Sequence, residues 1–171
     1  MPNVRTHDVI TIASAAVMVP VALNSGLPQM DAVNTAVLTG TYLASGLLFS
    51  PDLDTHSRPY RRWGPFRWIW LPYKALVPHR SWVSHSFVLG PLLRVLYFVG
   101  IVGLIAALGI GLINLMVPVD PTGTMLNIAV AGRVWTEQHL PTIAYATAGL
   151  ILGGASHTLA DIVFSKVKRM F

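Results

Sequence analysis

The sequence of 171 residues contains no cysteine, and only 11% of its residues are charged. The absence of cysteine excludes a disulfide framework, thiolate metal sites and cysteine nucleophiles. Soluble domains carry about 25% charged residues, whereas hydrophobic residues make up 53% of this chain. A chain this short has too little interior to hide so many apolar side chains, so we expect lipid to cover them.

The formal net charge of +5 raises the question of nucleic-acid binding. The basic residues cluster between apolar stretches, which is typical of anchoring at a membrane surface. We therefore expect membrane lipids as partners and no nucleic acid.

Four apolar stretches approach the roughly 20 residues that a bilayer crossing needs. They cover about residues 9–27, 32–50, 87–117 and 141–164. Pro51 ends the second stretch, and Pro141 suits the first position of a helix. The sequence predicts an all-α fold: one membrane domain over residues 1–171, a polytopic bundle of about four transmembrane helices with an interfacial loop at 51–86.

The distribution of Lys and Arg predicts the orientation of this bundle. They lie mainly before the first stretch, between the second and third, and after the fourth, while the loops on the opposite side hold only Arg133. By the positive-inside rule, both termini and the loop 51–86 are cytoplasmic, in a bacterial inner membrane or on the equivalent side of a thylakoid.

The loop 51–86 is rich in aromatic residues, and Trp and Tyr favour the headgroup region of a bilayer. Four of the five tryptophans of the chain lie here, at Trp63, Trp68, Trp70 and Trp82. The run Phe66–Tyr73 is too short to span, so we interpret it as a segment that lies on the membrane surface. An ordinary polar loop fits the aromatic content poorly.

Histidines and acids concentrate at the predicted cytoplasmic side. In the fourth stretch Gly149, Gly153, His157 and Asp161 recur every four residues and share one helical face. The glycines would let another helix approach closely, and the His–Asp pair would point into the same crevice. The alternative is a hydrogen-bonded pair that only locks helices together.

Asp52, Asp54 and His56 follow the second stretch, where an extended turn would direct alternate side chains to the same side. His79 and His85 lie just before the third stretch, and His7 opens the first. Each group has a simpler interpretation, as solvated acids, helix-capping residues or a histidine in a tail. Together they place candidate ligands from four segments at one membrane face.

Imidazole and carboxylate ligands suit divalent ions, with Zn²⁺ as the first choice and Mn²⁺ or Fe²⁺ as alternatives. The candidates exceed the needs of one tetrahedral site, so we expect one or two ions.

The order of four motifs resembles a known membrane family: Thr6-His7, Pro51 to Asp54, His79-Arg80 to His85-Ser86, and His157 to Asp161. This is the membrane-bound metal-dependent hydrolase family of the LexA-regulated inner-membrane type. The sequence is more similar to its relative, the uncharacterised metal-binding integral membrane proteins common in cyanobacteria. The resemblance covers nearly the whole chain. It implies a helical bundle with a metal site at His7, Asp52, Asp54, His79, His85, His157 and Asp161.

The sequence departs from the hydrolase branch at two points. A Trp-rich insertion separates Asp54 from His79, and the spacing from His79 to His85 is longer. These departures bear on the catalytic assignment more than on the metal assignment.

We expect a metal-dependent hydrolase acting on a phosphoester or lipid headgroup at the cytoplasmic face. His56 is a candidate general base, with His7 and Asp8 as alternatives, and Arg80 would neutralise phosphoryl charge. The alternative is a non-catalytic metal-binding membrane protein with a structural, sensory or assembly role. A small transporter or channel would place ionisable residues at mid-membrane depth, and an accidental cluster would bind no metal.

Overall fold

The computed structural model describes residues 4–77, 86–117 and 120–170. Every regular element within these ranges is helical, which confirms the all-α prediction for the described part of the chain. The helices are α1 (Val4–Leu23), α2 (Ala32–Leu47), α3 (Arg58–Arg62), α4 (Leu71–Leu76), α5 (Leu89–Asn114), α6 (Pro121–Gln138) and α7 (Leu140–Met170), with 3₁₀ helices at Pro51–Asp54 and Gly64–Trp70.

Three helical segments of the described chain are long and apolar enough to cross a membrane: Arg5–Leu23, Leu89–Asn114 and Leu140–Val167. The prediction of a fourth span at residues 32–50 was wrong. Helix α2 has only 16 residues, about 24 Å at 1.5 Å per residue, whereas the hydrocarbon core is about 30 Å thick.

Helix α2 instead packs along α7, and small residues allow the close approach. A Cβ atom on Gly153 would clash with the carbonyl oxygen of Tyr42, and one on Gly149 with that of Leu38. The glycines therefore bring the two backbones into contact, as their spacing predicts.

Helix α1 packs on the same pair of helices and runs antiparallel to α7. Near the start of α1, the Thr11 side chain lies against Gly46 of α2. At the opposite end of the bundle, the Tyr145 hydroxyl donates a hydrogen bond to the carbonyl of Pro28 at 2.6 Å. The beginning of α1 therefore lies level with the later part of α7.

The segment between α2 and α5 folds around an aromatic core rather than lying flat on a surface. Trp70 and Tyr73 are 0% and 2% exposed and cluster with Leu53 and Tyr60. The surface interpretation of Phe66–Tyr73 was wrong for these two residues, because short helices place them on one inward face. Phe66, at 60% exposed, stays on the outside.

Helix α6 was missed by the sequence analysis, which treated residues 118–140 as a loop. Asp120 caps it by accepting hydrogen bonds from the N–H groups of Thr122 and Gly123, both at 3.0 Å. Proline at the first helical position is also typical of a helix start. These local signals were present, but the segment is not apolar enough to be recognised as a span.

Candidate metal centre

The described chain brings three sequence-predicted ligands together where α1 meets α7. His7 lies at the end of the first turn of α1, while His157 and Asp161 lie one turn apart on α7. Their potential ligand atoms all lie within 4.8 Å of one another. Both histidines are buried, at 5% and 4% exposed.

The two carboxylate oxygens of Asp161 face different imidazoles. Oδ1 lies 3.3 Å from Nε2 of His7, and Oδ2 lies 3.7 Å from Nε2 of His157. The two rings stack with their centroids 3.8 Å apart. One carboxyl group therefore joins two imidazoles that come from opposite ends of the chain.

Asp52 extends this group from a third segment. Its Oδ2 lies 3.6 Å from Nε2 of His157, and its side chain is 31% exposed. The residue belongs to the 3₁₀ helix Pro51–Asp54, which Ser50 caps. The extended turn predicted here was wrong, because Pro51 starts a helical turn instead.

Asp54 faces another direction than Asp52, since residues two apart in a 3₁₀ helix point in different directions. Asp54 is buried and electrostatically coupled to Arg94 and Tyr73. Burial raises the pKa of the Tyr73 phenol above its usual range, with Arg94 opposing the shift and Asp54 adding to it. Arg94 is fully buried and donates to the carbonyl of Phe49 at 3.0 Å.

Two further candidates lie outside the His7–His157–Asp161 group. His56 is exposed, and its ring lies edge-on to Tyr60 with centroids 5.4 Å apart. Asp8 accepts a hydrogen bond at 2.5 Å from Arg62, which also donates to the carbonyl of Leu47 at 2.9 Å. This ion pair ties the start of α1 to the end of α2.

His79, Arg80 and His85 lie outside the described residues, so their predicted roles stay predictions.

A family model described as "Uncharacterized metal-binding protein (DUF2227)" matches residues 2–171. The chain belongs to this family. The match confirms the metal-binding part of the resemblance, whereas membership of the hydrolase family stays a prediction.

An "Uncharacterized protein" of Aquifex aeolicus (strain VF5) is 37% identical over 57 residues, which cover 33% of this chain and 40% of that protein. The match thus spans about two fifths of the length of this curated relative. No solved structure matches the chain.

The donor set fits the metal ion that the family description implies. Two ligands of one tetrahedral Zn²⁺ with bonds of about 2.0–2.2 Å lie roughly 3.3–3.6 Å apart. The separations of Asp161 from His7 and His157, and of Asp52 from His157, run from 3.3 to 3.7 Å, with a different Asp161 oxygen facing each histidine. With one ligand atom per residue, His7, His157 and Asp161 lie within 4.8 Å of one another. Nε2 of His157 is also buried without a hydrogen-bond partner among the described residues, which leaves it available to an ion or a water.

Sequence reasoning missed one residue of this site. Ser50 is fully buried, and its Oγ lies 3.2 Å from Nδ1 of His157. The Ser50-Pro51-Asp52 order is a recognisable helix-start signal. That signal predicts a cap but carries no information about a contact with a histidine so distant in the sequence.

Proposed function

We propose that this protein is an integral membrane protein that holds a divalent ion, Zn²⁺ as first choice, and uses it to hydrolyse a phosphoester or lipid headgroup at the cytoplasmic face. The observation that carries the proposal is the convergence of His7, His157 and Asp161, whose ligand atoms lie within 4.8 Å of one another. Two imidazoles and one carboxylate are the ligand set of several catalytic zinc sites.

Membrane insertion is supported by the apolar surface of the bundle. Leu96, Leu104 and Leu108 of α5 are 69%, 56% and 61% exposed, as expected where lipid covers them. Arg58 and Arg61 follow the end of α2 that carries the site, and both are exposed. Their charge favours the cytoplasmic face, and it would attract a phosphate group to the same end of the bundle.

Hydrolysis is supported by the number of ligands and by the position of Asp52. Three protein ligands from the described residues would leave a fourth position open, as in catalytic rather than structural zinc sites. A Zn²⁺ ion held there would lower the pKa of a bound water to about 7 and polarise a phosphoryl oxygen. Asp52 is more exposed than Asp161, at 31% against 14%, so its carboxylate is the one placed to accept a proton from water.

A second function, non-catalytic metal binding, is favoured by the contact between Asp52 and His157. Its Oδ2 lies 3.6 Å from Nε2 of His157, close enough to serve as a fourth ligand. The ion would then be enclosed, and it would join α1, α7 and the turn after α2 as a structural staple.

Elemental analysis of the detergent-purified protein tests the proposal. We expect about one equivalent of Zn, Mn or Fe, lost in a His157→Ala/Asp161→Ala double variant. His139→Ala is the matched control, because His139 is a half-buried histidine that ends α6, far from the site, and stacks on Trp135. It should retain the metal.

The metal-loaded protein is then assayed against phosphomonoesters, phosphodiesters and phospholipids. Hydrolysis that is lost with the metal supports the enzyme, whereas full loading without hydrolysis supports the staple. Protein that contains no metal and takes up none on reconstitution contradicts both functions.

A further inference from the structure

Ser50 touches two of the candidate metal ligands with one buried hydroxyl group. Its Oγ lies 3.2 Å from Nδ1 of His157 and accepts a hydrogen bond from the backbone N–H of Asp52 at 3.4 Å. The side chain is 0% exposed, so water does not compete for these contacts.

The surroundings of His157 distinguish its two ring nitrogens. Nδ1 faces Ser50, whereas Nε2 faces Oδ2 of Asp52 at 3.6 Å and Oδ2 of Asp161 at 3.7 Å. These distances are too long for hydrogen bonds. Nε2 is thus the nitrogen directed at the carboxylates, and it can bind an ion only when the ring proton is on Nδ1.

We propose that Ser50 is a positioning residue that holds His157 in the tautomer protonated at Nδ1, leaving the lone pair of Nε2 for the metal ion. This inference rests on the proposed function. A serine oxygen has two acceptor lone pairs. One accepts the N–H of Asp52, and the other accepts Nδ1–H of His157. Histidine ligands generally need such an acceptor at their second nitrogen.

The zinc affinity of Ser50→Ala tests the role directly. We expect a loss of about 10–100-fold, the usual effect of removing an outer hydrogen-bond partner of a histidine ligand. Ser50→Thr keeps a hydroxyl and should bind more tightly than Ser50→Ala. Affinities are measured by competition with a chelator.

Ser57→Ala is the matched control for a general effect on the turn. The Ser57 hydroxyl donates to the carbonyl of Asp52 at 2.7 Å and accepts from the N–H of Tyr60 at 3.4 Å. It therefore stabilises the same turn, but through Asp52 and Tyr60 rather than through His157. Ser57→Ala should keep the zinc affinity of the unsubstituted protein.

Nitrogen-15 NMR of the imidazoles in the metal-free, unsubstituted protein gives a readout that a purely structural role would not produce, because any zinc bound at Nε2 leaves the ring proton on Nδ1. We expect His157 to carry its proton on Nδ1 before zinc is added, and to bind zinc through Nε2 afterwards. This spectrum needs no variant, so it tests the inference even if Ser50→Ala does not fold.

Three outcomes overturn the inference while leaving the proposed function intact. They are zinc bound through Nδ1, an unchanged affinity in Ser50→Ala, and equal losses in Ser50→Ala and Ser57→Ala. Unsubstituted protein that takes up no Zn, Mn or Fe is a different result, because it overturns the proposed function and this inference with it.

Discussion

The imidazole rings of His7 and His157 lie parallel, with 3.8 Å between their centroids and 12° between their planes. Each ring also faces one oxygen of the Asp161 carboxyl group. Since the two histidines belong to the first and last helices, neither local sequence nor one helix alone can form the site. The candidate metal centre exists only when α1, α2 and α7 are correctly packed.

The contact between α2 and α7 gives the first prediction. Gly153→Ala should destabilise the protein by about 1–3 kcal/mol, because the new methyl group would clash with the carbonyl oxygen of Tyr42. The zinc affinity should fall as well, since His157 lies one turn further along α7. Both are measured in detergent, by thermal unfolding and by chelator competition.

Gly103→Ala is the matched control for this prediction. Gly103 lies in α5, and a Cβ atom there would meet no atom within 4 Å. Because alanine favours helix more than glycine does, we expect an unchanged or slightly higher stability. Equal stability of Gly103→Ala and Gly153→Ala would contradict the close helix approach.

The second prediction concerns Arg94, which connects α5 to the turn after α2. Its guanidinium donates to the carbonyl of Phe49 and is electrostatically coupled to Asp54. Arg94→Met would leave this buried carboxyl group without its positive neighbour, which typically costs about 3–5 kcal/mol. We expect poor expression or a strongly lowered unfolding temperature.

Arg133→Met is the control for Arg94, because Arg133 pairs with Glu137 on the surface of α6. Its side chain is 81% exposed, and exposed pairs of this kind contribute little. No measurable change in unfolding temperature is expected. A similar loss in both variants would show that the effect of Arg94 is not due to its burial.

The positions of α1, α2, α5 and α7 were largely predictable, because long apolar stretches and the glycine spacing on α7 are local signals. The prediction of a fourth span failed, because apolar composition alone does not separate a short helix packed within the bundle from a transmembrane helix. Helix α2 packs against α1 and α7 through residues that are mostly small or polar, such as Thr35, Ser45 and Gly46. That information lies in tertiary contacts.

The candidate site was predictable as a set of residues but not as a geometry. The sequence indicated His7, Asp52, His157 and Asp161 by their placement at the ends of apolar stretches. It could not distinguish Asp52 from Asp54, because the contact of Asp52 with His157 depends on the 3₁₀ turn that begins at Pro51. Ser50 was missed for a similar reason, as its contact with His157 depends on packing.

The third prediction separates the two proposed functions through Asp52→Asn. Asparagine keeps the size of the side chain but cannot accept a proton as a base. If Asp52 is the general base, the zinc affinity should change little while hydrolysis of the substrate identified by screening falls about 10²–10⁴-fold.

Asp120→Asn is the control, since asparagine caps a helix as well as aspartate does and Asp120 only caps α6. Neither affinity nor rate should change in this variant. If Asp52→Asn instead loses zinc as strongly as Asp161→Asn does, Asp52 is a fourth ligand. The ion is then enclosed by side chains from α1, α7 and the turn after α2, and the structural staple is the better account of the site, because an enclosed ion has no position left for water or substrate.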